Sequence, residues 1–127
     1  MKNLKQSYTI NAPVSKVWQA LIDIGDIEEW GAGPAVMDDK VGTHFKLWGG
    51  DIHGQNLEVV PEKQLKQEWY GGEWPQPSHV TFHLSKVPEG TKLELIHENI
   101  PDEAYIDIAN GWKQYYIGPL KEFVEET

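Results

Sequence analysis

Apolar and polar residues alternate most cleanly between Ser78 and Ser85, where Val80, Phe82 and Leu84 are interleaved with His79, Thr81 and His83. A period of two belongs to a strand with one dry face and one wet face. Leu93 and Leu95 repeat the pattern later, and Leu65 and Trp69 carry it earlier. Turn signals come often here: Asp38-Asp39, Gly49-Gly50, Pro61-Glu62-Lys63, the loop from Gly71 to Pro77, and Pro88-Glu89-Gly90. Strand after strand without an intervening helix predicts hairpin connections and an antiparallel sheet lying on a core.

The two ends of the chain read differently. Residues 4–11 form a first strand, and Pro13 suits the first turn of a helix whose stripe is Val14, Val17, Trp18, Leu21 and Ile22. A second short helix is expected over residues 26–30, stopped by Gly31-Ala32-Gly33-Pro34. Near Pro101-Asp102-Glu103 the period becomes helical again, with Tyr105, Ala109, Trp112, Tyr116, Leu120 and Phe123 on one stripe. Acidic residues open this helix, as its dipole favours. Gly111 weakens it, and Pro119 is expected to kink it or to let a second segment begin, since proline removes an internal hydrogen bond. The fold class is therefore α+β, with two short helices after the first strand. A curved antiparallel sheet of about six or seven strands then wraps a long C-terminal helix, the order of a helix-grip fold.

Composition narrows the partners. The 127 residues fit one domain, 1–127, and 39% apolar residues, six of them Trp, can close a core. The net charge is −9 and all 11 basic residues are lysines. Nucleic acid binding needs a cationic surface that releases counterions, and an anionic membrane repels this chain, so neither partner is expected. With no cysteine there is no disulfide, thiolate nucleophile or thiolate metal site. No leader segment or membrane-length apolar run is visible, so a cytoplasmic location is expected.

A family resemblance rests on longer stretches. The segment from Phe45 to Lys63, with Trp48-Gly49-Gly50-Asp51-Ile52-His53-Gly54 inside it, and then Leu65 to Trp69, resembles the C-terminal domain of activators of heat-shock protein 90 ATPase. So do Ile100-Pro101, Gly111-Trp112 with Tyr115-Tyr116, and Leu120-Lys121, while His97-Glu98 is similar to bacterial members. Ala12-Pro13-Val14 with Val17-Trp18 and Ala20-Leu21 is common to the wider START-like (SRPBCC) superfamily. The resemblance covers about residues 8 to 125 and implies a helix-grip fold with a cavity between sheet and C-terminal helix. It also implies a chaperone and stress-response link through heat-shock protein 90.

The candidate ligand-binding residues follow from the dry faces. Trp69, Phe82, Trp112 and Tyr116 should face the space between sheet and helix, with Phe45 and Trp18 beside them. Such a stripe reads equally as packed core or as the wall of a pocket for apolar molecules. Gln67 shares a face with Leu65 and Trp69, and His97 shares one with Leu93 and Leu95. Burying an unpaired polar group is costly, so each is expected either to meet a ligand or to be satisfied by backbone near a strand end.

Other chemistry is thinly represented. His79 and His83 lie on a wet face too far apart to share a metal, and His97-Glu98 lacks the second histidine of a zinc protease motif. Neither a G-x-S-x-G elbow nor a phosphate-binding glycine loop occurs, so no metal, cofactor or catalytic residue is expected. Trp74, in the loop from Gly71 to Pro77, is the candidate partner-binding residue, equally able to fold back as a lid. The first expectation is a monomer that binds a small hydrophobic or amphipathic ligand without catalysis. The alternatives are a co-chaperone in weak contact with heat-shock protein 90, activating its ATPase, and an enzyme using His97 on a cavity-bound substrate.

Overall fold

A computed structural model gives the fold, with residues 1–126 described. Strand β1 (Lys2–Ile10) is followed by helices α1 (Val14–Ile22) and α2 (Ile24–Trp30). Five strands come next: β2 (His44–Leu47), β3 (Ile52–Val60), β4 (Gln64–Tyr70), β5 (Ser78–Val87) and β6 (Gly90–Ile100). The C-terminal helix comprises α3 (Tyr105–Gly111), a π-helical turn (Trp112–Ile117) and α4 (Gly118–Glu126). The sheet has six strands in the order β1-β6-β5-β4-β3-β2, each pair antiparallel. This is the expected helix-grip arrangement. The first strand starts two residues early, because Lys2 pairs with Ile100 across an irregularity between Lys2 and Leu4. Helix α2 also starts early, because the Asp23 carboxylate accepts from the Asp26 N–H at 3.0 Å and caps it.

The dry faces meet as the alternation requires. Val80, Phe82 and Leu84 are buried on β5, opposite Leu93 and Leu95 on β6 and Leu65 on β4. Above them lie Trp112, Tyr116, Ile117, Leu120 and Val124 of the C-terminal helix, and α1 and α2 pack against α4 at one end.

At Pro119 the second of the two expectations holds, for a new segment, α4, begins at Gly118. The three segments of the helix run on in right-handed helical conformation, and the break is absorbed as a wider turn. The Gly118 N–H reaches back five residues to the Lys113 carbonyl instead of four. Only glycine fits there, because a Cβ at position 118 would stand 2.2 Å from that oxygen. The extra residue turns the following face. Tyr116 and Ile117 are both buried, and Val124 occupies the core where the regular stripe placed Phe123, which is half-buried.

Candidate functional site

Strands β4 and β5 and the π-helical turn bring four of the expected aromatic residues together. Trp69 stacks on Trp112 at 5.2 Å between ring centroids, and Trp112 lies 4.7 Å from Tyr116. Phe82 touches both, at 5.7 Å from each. Phe45, on β2, is buried nearer the far edge of the sheet. Two further rings join that sequence reasoning did not place in the site. Trp30 ends α2 at 4.9 Å from Tyr116, and Trp48 stands edge-on to Tyr116 at 6.2 Å. Trp48 is held in the left-handed region with φ 51°, where a bulky side chain is strained, and Gly49 and Gly50 continue the turn with φ 70° and 110°. The signal in the sequence was the Trp-Gly-Gly break itself.

The polar residues on the dry faces find side-chain partners. The Trp112 indole N–H donates to Nδ1 of His97 at 3.0 Å. An indole can only donate, so Nδ1 is the acceptor and the ring proton sits on Nε2. From there Nε2–H donates to Ser78 Oγ at 2.8 Å, and the Ser78 hydroxyl donates to the Trp69 carbonyl at 2.6 Å. Burial, and then the nearby His79, hold the His97 pKa down to about 3, so the ring is neutral. Both ring nitrogens are engaged. His97 has no free lone pair to act as a general base, which removes the residue on which the enzymatic alternative rested.

Gln67 lies in the middle of β4, and its Nε2 donates to Asn56 Oδ1 on β3 at 3.0 Å. The Asn56 amide nitrogen in turn holds the carbonyls of Asp38 and Lys40 at 3.1 Å each. The expectation of backbone partners near a strand end therefore gives way, for Gln67 and His97 alike, to partners across the sheet and on the helix.

A groove of about 370 Å³ opens beside this cluster, between the helix and the β2–β4 side of the sheet. Trp48, Ile52, Trp69, Ile108, Trp112 and Tyr116 form much of its wall. Of the expected ligand residues, Trp69, Trp112 and Tyr116 line it, whereas Phe45, Gln67, Phe82 and His97 lie in the closed core beyond. Trp69 Nε1 and the Tyr116 hydroxyl are buried without a hydrogen-bond partner, as is Gln67 Oε1. Burial pushes the Tyr116 phenol up. Orphaned polar groups are costly in a closed core, and two of the three belong to residues of the groove wall. Trp74 is half-buried with its ring 6.1 Å from that of Trp69, folded back over Gly71. His53 stacks on Tyr70 at 5.0 Å. Among the described residues no group of three or more His, Asp or Glu could hold a metal ion, and no helix is long and apolar enough to cross a membrane.

A sequence model of the family described as activator of Hsp90 ATPase homolog 1-like protein matches residues 11–125. The chain belongs to this family. Among similar proteins, the human activator of 90 kDa heat shock protein ATPase homolog 1 is 28% identical over 91 residues, covering 70% of this chain and 27% of that protein. The chain spans roughly a third of the length of the curated relatives it matches. A crystal structure from Mesorhizobium loti superposes with a TM-score of 0.87 at 29% identity, covering 99% of this chain and 98% of that one. An HSP90 activator from Plasmodium falciparum superposes with a TM-score of 0.85 at 26% identity, covering 93% and 92%. Members of the Hsp90 ATPase activator family thus share this sheet, helix grip and START-like topology.

Proposed function

We propose that this member of the Hsp90 ATPase activator family binds a small apolar or amphipathic molecule in the groove between its sheet and its C-terminal helix. The observation that carries the reading is the aromatic groove of about 370 Å³ itself, walled by Trp48, Trp69, Trp112, Tyr115 and Tyr116 between sheet and helix. Pockets for small molecules combine apolar walls with a few polar groups that fix orientation, and this groove has that make-up. The test is a titration with a neutral apolar dye and a flavonoid, followed by amide chemical shifts. Shifts should appear on both walls, at Gly111 to Tyr116 and at Trp48 to Ile52. A panel that moves neither wall means that the groove is only an irregularity of packing.

A second reading is favoured by the likeness to the Plasmodium falciparum HSP90 activator, which matches over nearly its whole length. On this reading the chain contacts an Hsp90 chaperone and raises its ATPase. Interfaces are usually anchored by buried aromatic or arginine side chains. The chain has no arginine, and the ring of Trp74 is committed to Trp69, so a weak contact is expected. Steady-state ATP turnover of the cognate chaperone, with and without excess protein, tests it. Several-fold stimulation that is lost in Trp74→Ala would put this reading first.

A further inference from the structure

Independently of the groove, we infer that the free edge of β1 takes up an extended acidic segment of a partner protein as a further strand of the sheet. The two edges of the six-stranded sheet are finished differently. Strand β2 has four residues, and its outer side is closed by Val36, which exchanges two backbone hydrogen bonds of 2.9 Å with Lys46. Strand β1 has nine residues, and among the described residues nothing pairs with its outer side. Natural sheets guard an open edge with lysines, prolines or irregular residues, because its bare N–H and C=O groups invite another strand. Lys2, Lys5 and the irregularity between Lys2 and Leu4 guard only the first half of β1. From Gln6 to Ile10 there is no charge, no proline and no irregularity.

Register identifies the open groups. Val87 and Gly90 pair across the tight β5–β6 turn, so Gly90 turns its backbone groups to β5 and Thr91, one residue on, turns its own to β1. Thr91 stands opposite Ile10, whose carbonyl lies against Gly90. Ile10, Tyr8 and Gln6 therefore bond to β6, and Lys5, Ser7 and Thr9 point their N–H and C=O groups outward. Beside this edge runs an open cleft of about 1000 Å³. Gln6, Ser7 and Tyr8 form one side, and Asn110, Lys113 and Gln114 of the C-terminal helix form the other. The Gln6 amide donates to the Ala109 carbonyl at 3.0 Å and the Tyr8 hydroxyl donates to Gln6, so strand and helix are held at a fixed spacing before anything binds. A strand added here would turn alternate side chains inward, onto the exposed Lys113 and Gln114.

Charge selects the occupant. On a chain of net charge −9, this cleft is lined by no carboxylate and by one lysine, Lys113. Among the described residues Lys113 forms no ion pair. Lys5 lies on the opposite face of β1, 67% exposed and 3.6 Å from Glu94. An added strand would thus meet a cation on each face, Lys113 inward and Lys5 outward, and carboxylates at its alternate positions would match them. A second copy of this chain fits less well. It would set its own −9 against this one and bring the same lysines to a junction where carboxylates are wanted.

The probes are two capped octapeptides, one alternating threonine with glutamate and the other threonine with lysine, titrated into the full chain by calorimetry and by amide hydrogen exchange. The glutamate peptide should bind about tenfold or more tightly than the lysine peptide. On binding it should slow exchange at the amides of Lys5, Ser7 and Thr9, whereas those of Gln6 and Tyr8, already bonded to β6, should change little. In the double variant Lys5→Gln, Lys113→Gln the two peptides should come within about twofold of each other. Ser7→Pro, which an edge strand accepts where the N–H faces solvent, should weaken the glutamate peptide about tenfold. Thermal unfolding checks both variants, and if proline unfolds the strand the exchange pattern and the lysine variant decide. Equal affinities, no binding by either peptide, unchanged exchange at the three outward amides, or binding that survives Ser7→Pro in a folded protein would overturn the proposal. So would an unaltered protein that sediments as a dimer and becomes a monomer in Ser7→Pro, since the edge would then belong to a second copy.

Discussion

The Trp112 indole N–H and His97 Nδ1 are joined at 3.0 Å across the boundary between helix and sheet. Trp112 thus fixes the helix twice, through its buried ring and through this bond. Trp112→Phe keeps much of the ring and removes the donor, leaving Nδ1 buried and unpaired. It should cost about 1–3 kcal/mol. Trp112→Ala should cost about 3–5 kcal/mol. Urea unfolding measures both, and a phenylalanine variant as stable as the unaltered protein would contradict the role given to the bond.

Acid should unfold the protein partly through His97. Its folded pKa is held down to about 3 from 6.5, so above about pH 6.5 neither state carries the proton and its contribution to stability is complete. Below that value the unfolded chain takes up a proton that the folded chain refuses. Stability is then lost by up to about 1.4 kcal/mol per pH unit until the folded pKa is reached. His97→Gln should be less stable near neutrality but decline less steeply between about pH 6.5 and about pH 4. Parallel curves for the two proteins would show that His97 is not a buried neutral ring.

The π-helical turn makes two glycines of one helix respond in opposite directions. Gly118→Ala drives a Cβ to 2.2 Å from the Lys113 oxygen, whereas a Cβ at Gly111 meets only Tyr115 at 3.9 Å. Alanine gains about 1 kcal/mol over glycine inside a regular helix. Gly111→Ala should therefore raise the melting temperature, and Gly118→Ala should lower it, by about 1–3 kcal/mol of stability. Stabilisation by both would mean that the turn is an ordinary α-helix.

Asn56 ties the segment before β2 to the sheet through the carbonyls of Asp38 and Lys40, and also accepts from Gln67. Asn56→Ala removes all three side-chain bonds and should cost about 2–4 kcal/mol. Amide hydrogen exchange should rise first around Gly42, whose N–H donates to the Asn56 carbonyl at 2.8 Å. Unchanged exchange there would show that the segment is held by other contacts.

The dry faces were legible because period two survives intact in β5 and β6, and the helix stripe was legible as far as Tyr116. Beyond it Leu120 still lies on the expected stripe, but Phe123 yields its core place to Val124, since a five-residue backbone bond is written in Gly118 and Pro119 and not in hydrophobicity. Gln67 and His97 stood out as polar residues on apolar faces. Their partners did not, because Asn56 and Ser78 become neighbours only once strand register is set. An irregularity between Asn56 and Glu58 breaks the alternation of β3 just after Asn56, so its inward position did not show as part of a stripe. Trp30 and Trp48 reached the site through tertiary packing of a helix end and a strained turn; the Trp-Gly-Gly break marked the turn but not where its ring would lie.

The groove itself is tested most directly by filling it. Gly111 lines the groove in helical conformation, and a Cβ built there meets nothing nearer than Tyr115 at 3.9 Å. Gly111→Leu should place its side chain where a ligand would lie, without loss of stability, because leucine is the better helix former. The measurement is the dissociation constant of the neutral dye Nile red, read by energy transfer from tryptophan, for the unaltered protein and for Gly111→Leu. The account predicts that the unaltered protein binds and that the variant, at least as stable to heat, binds about tenfold or more weakly. Equal binding by both proteins, or none by the unaltered one, would contradict it.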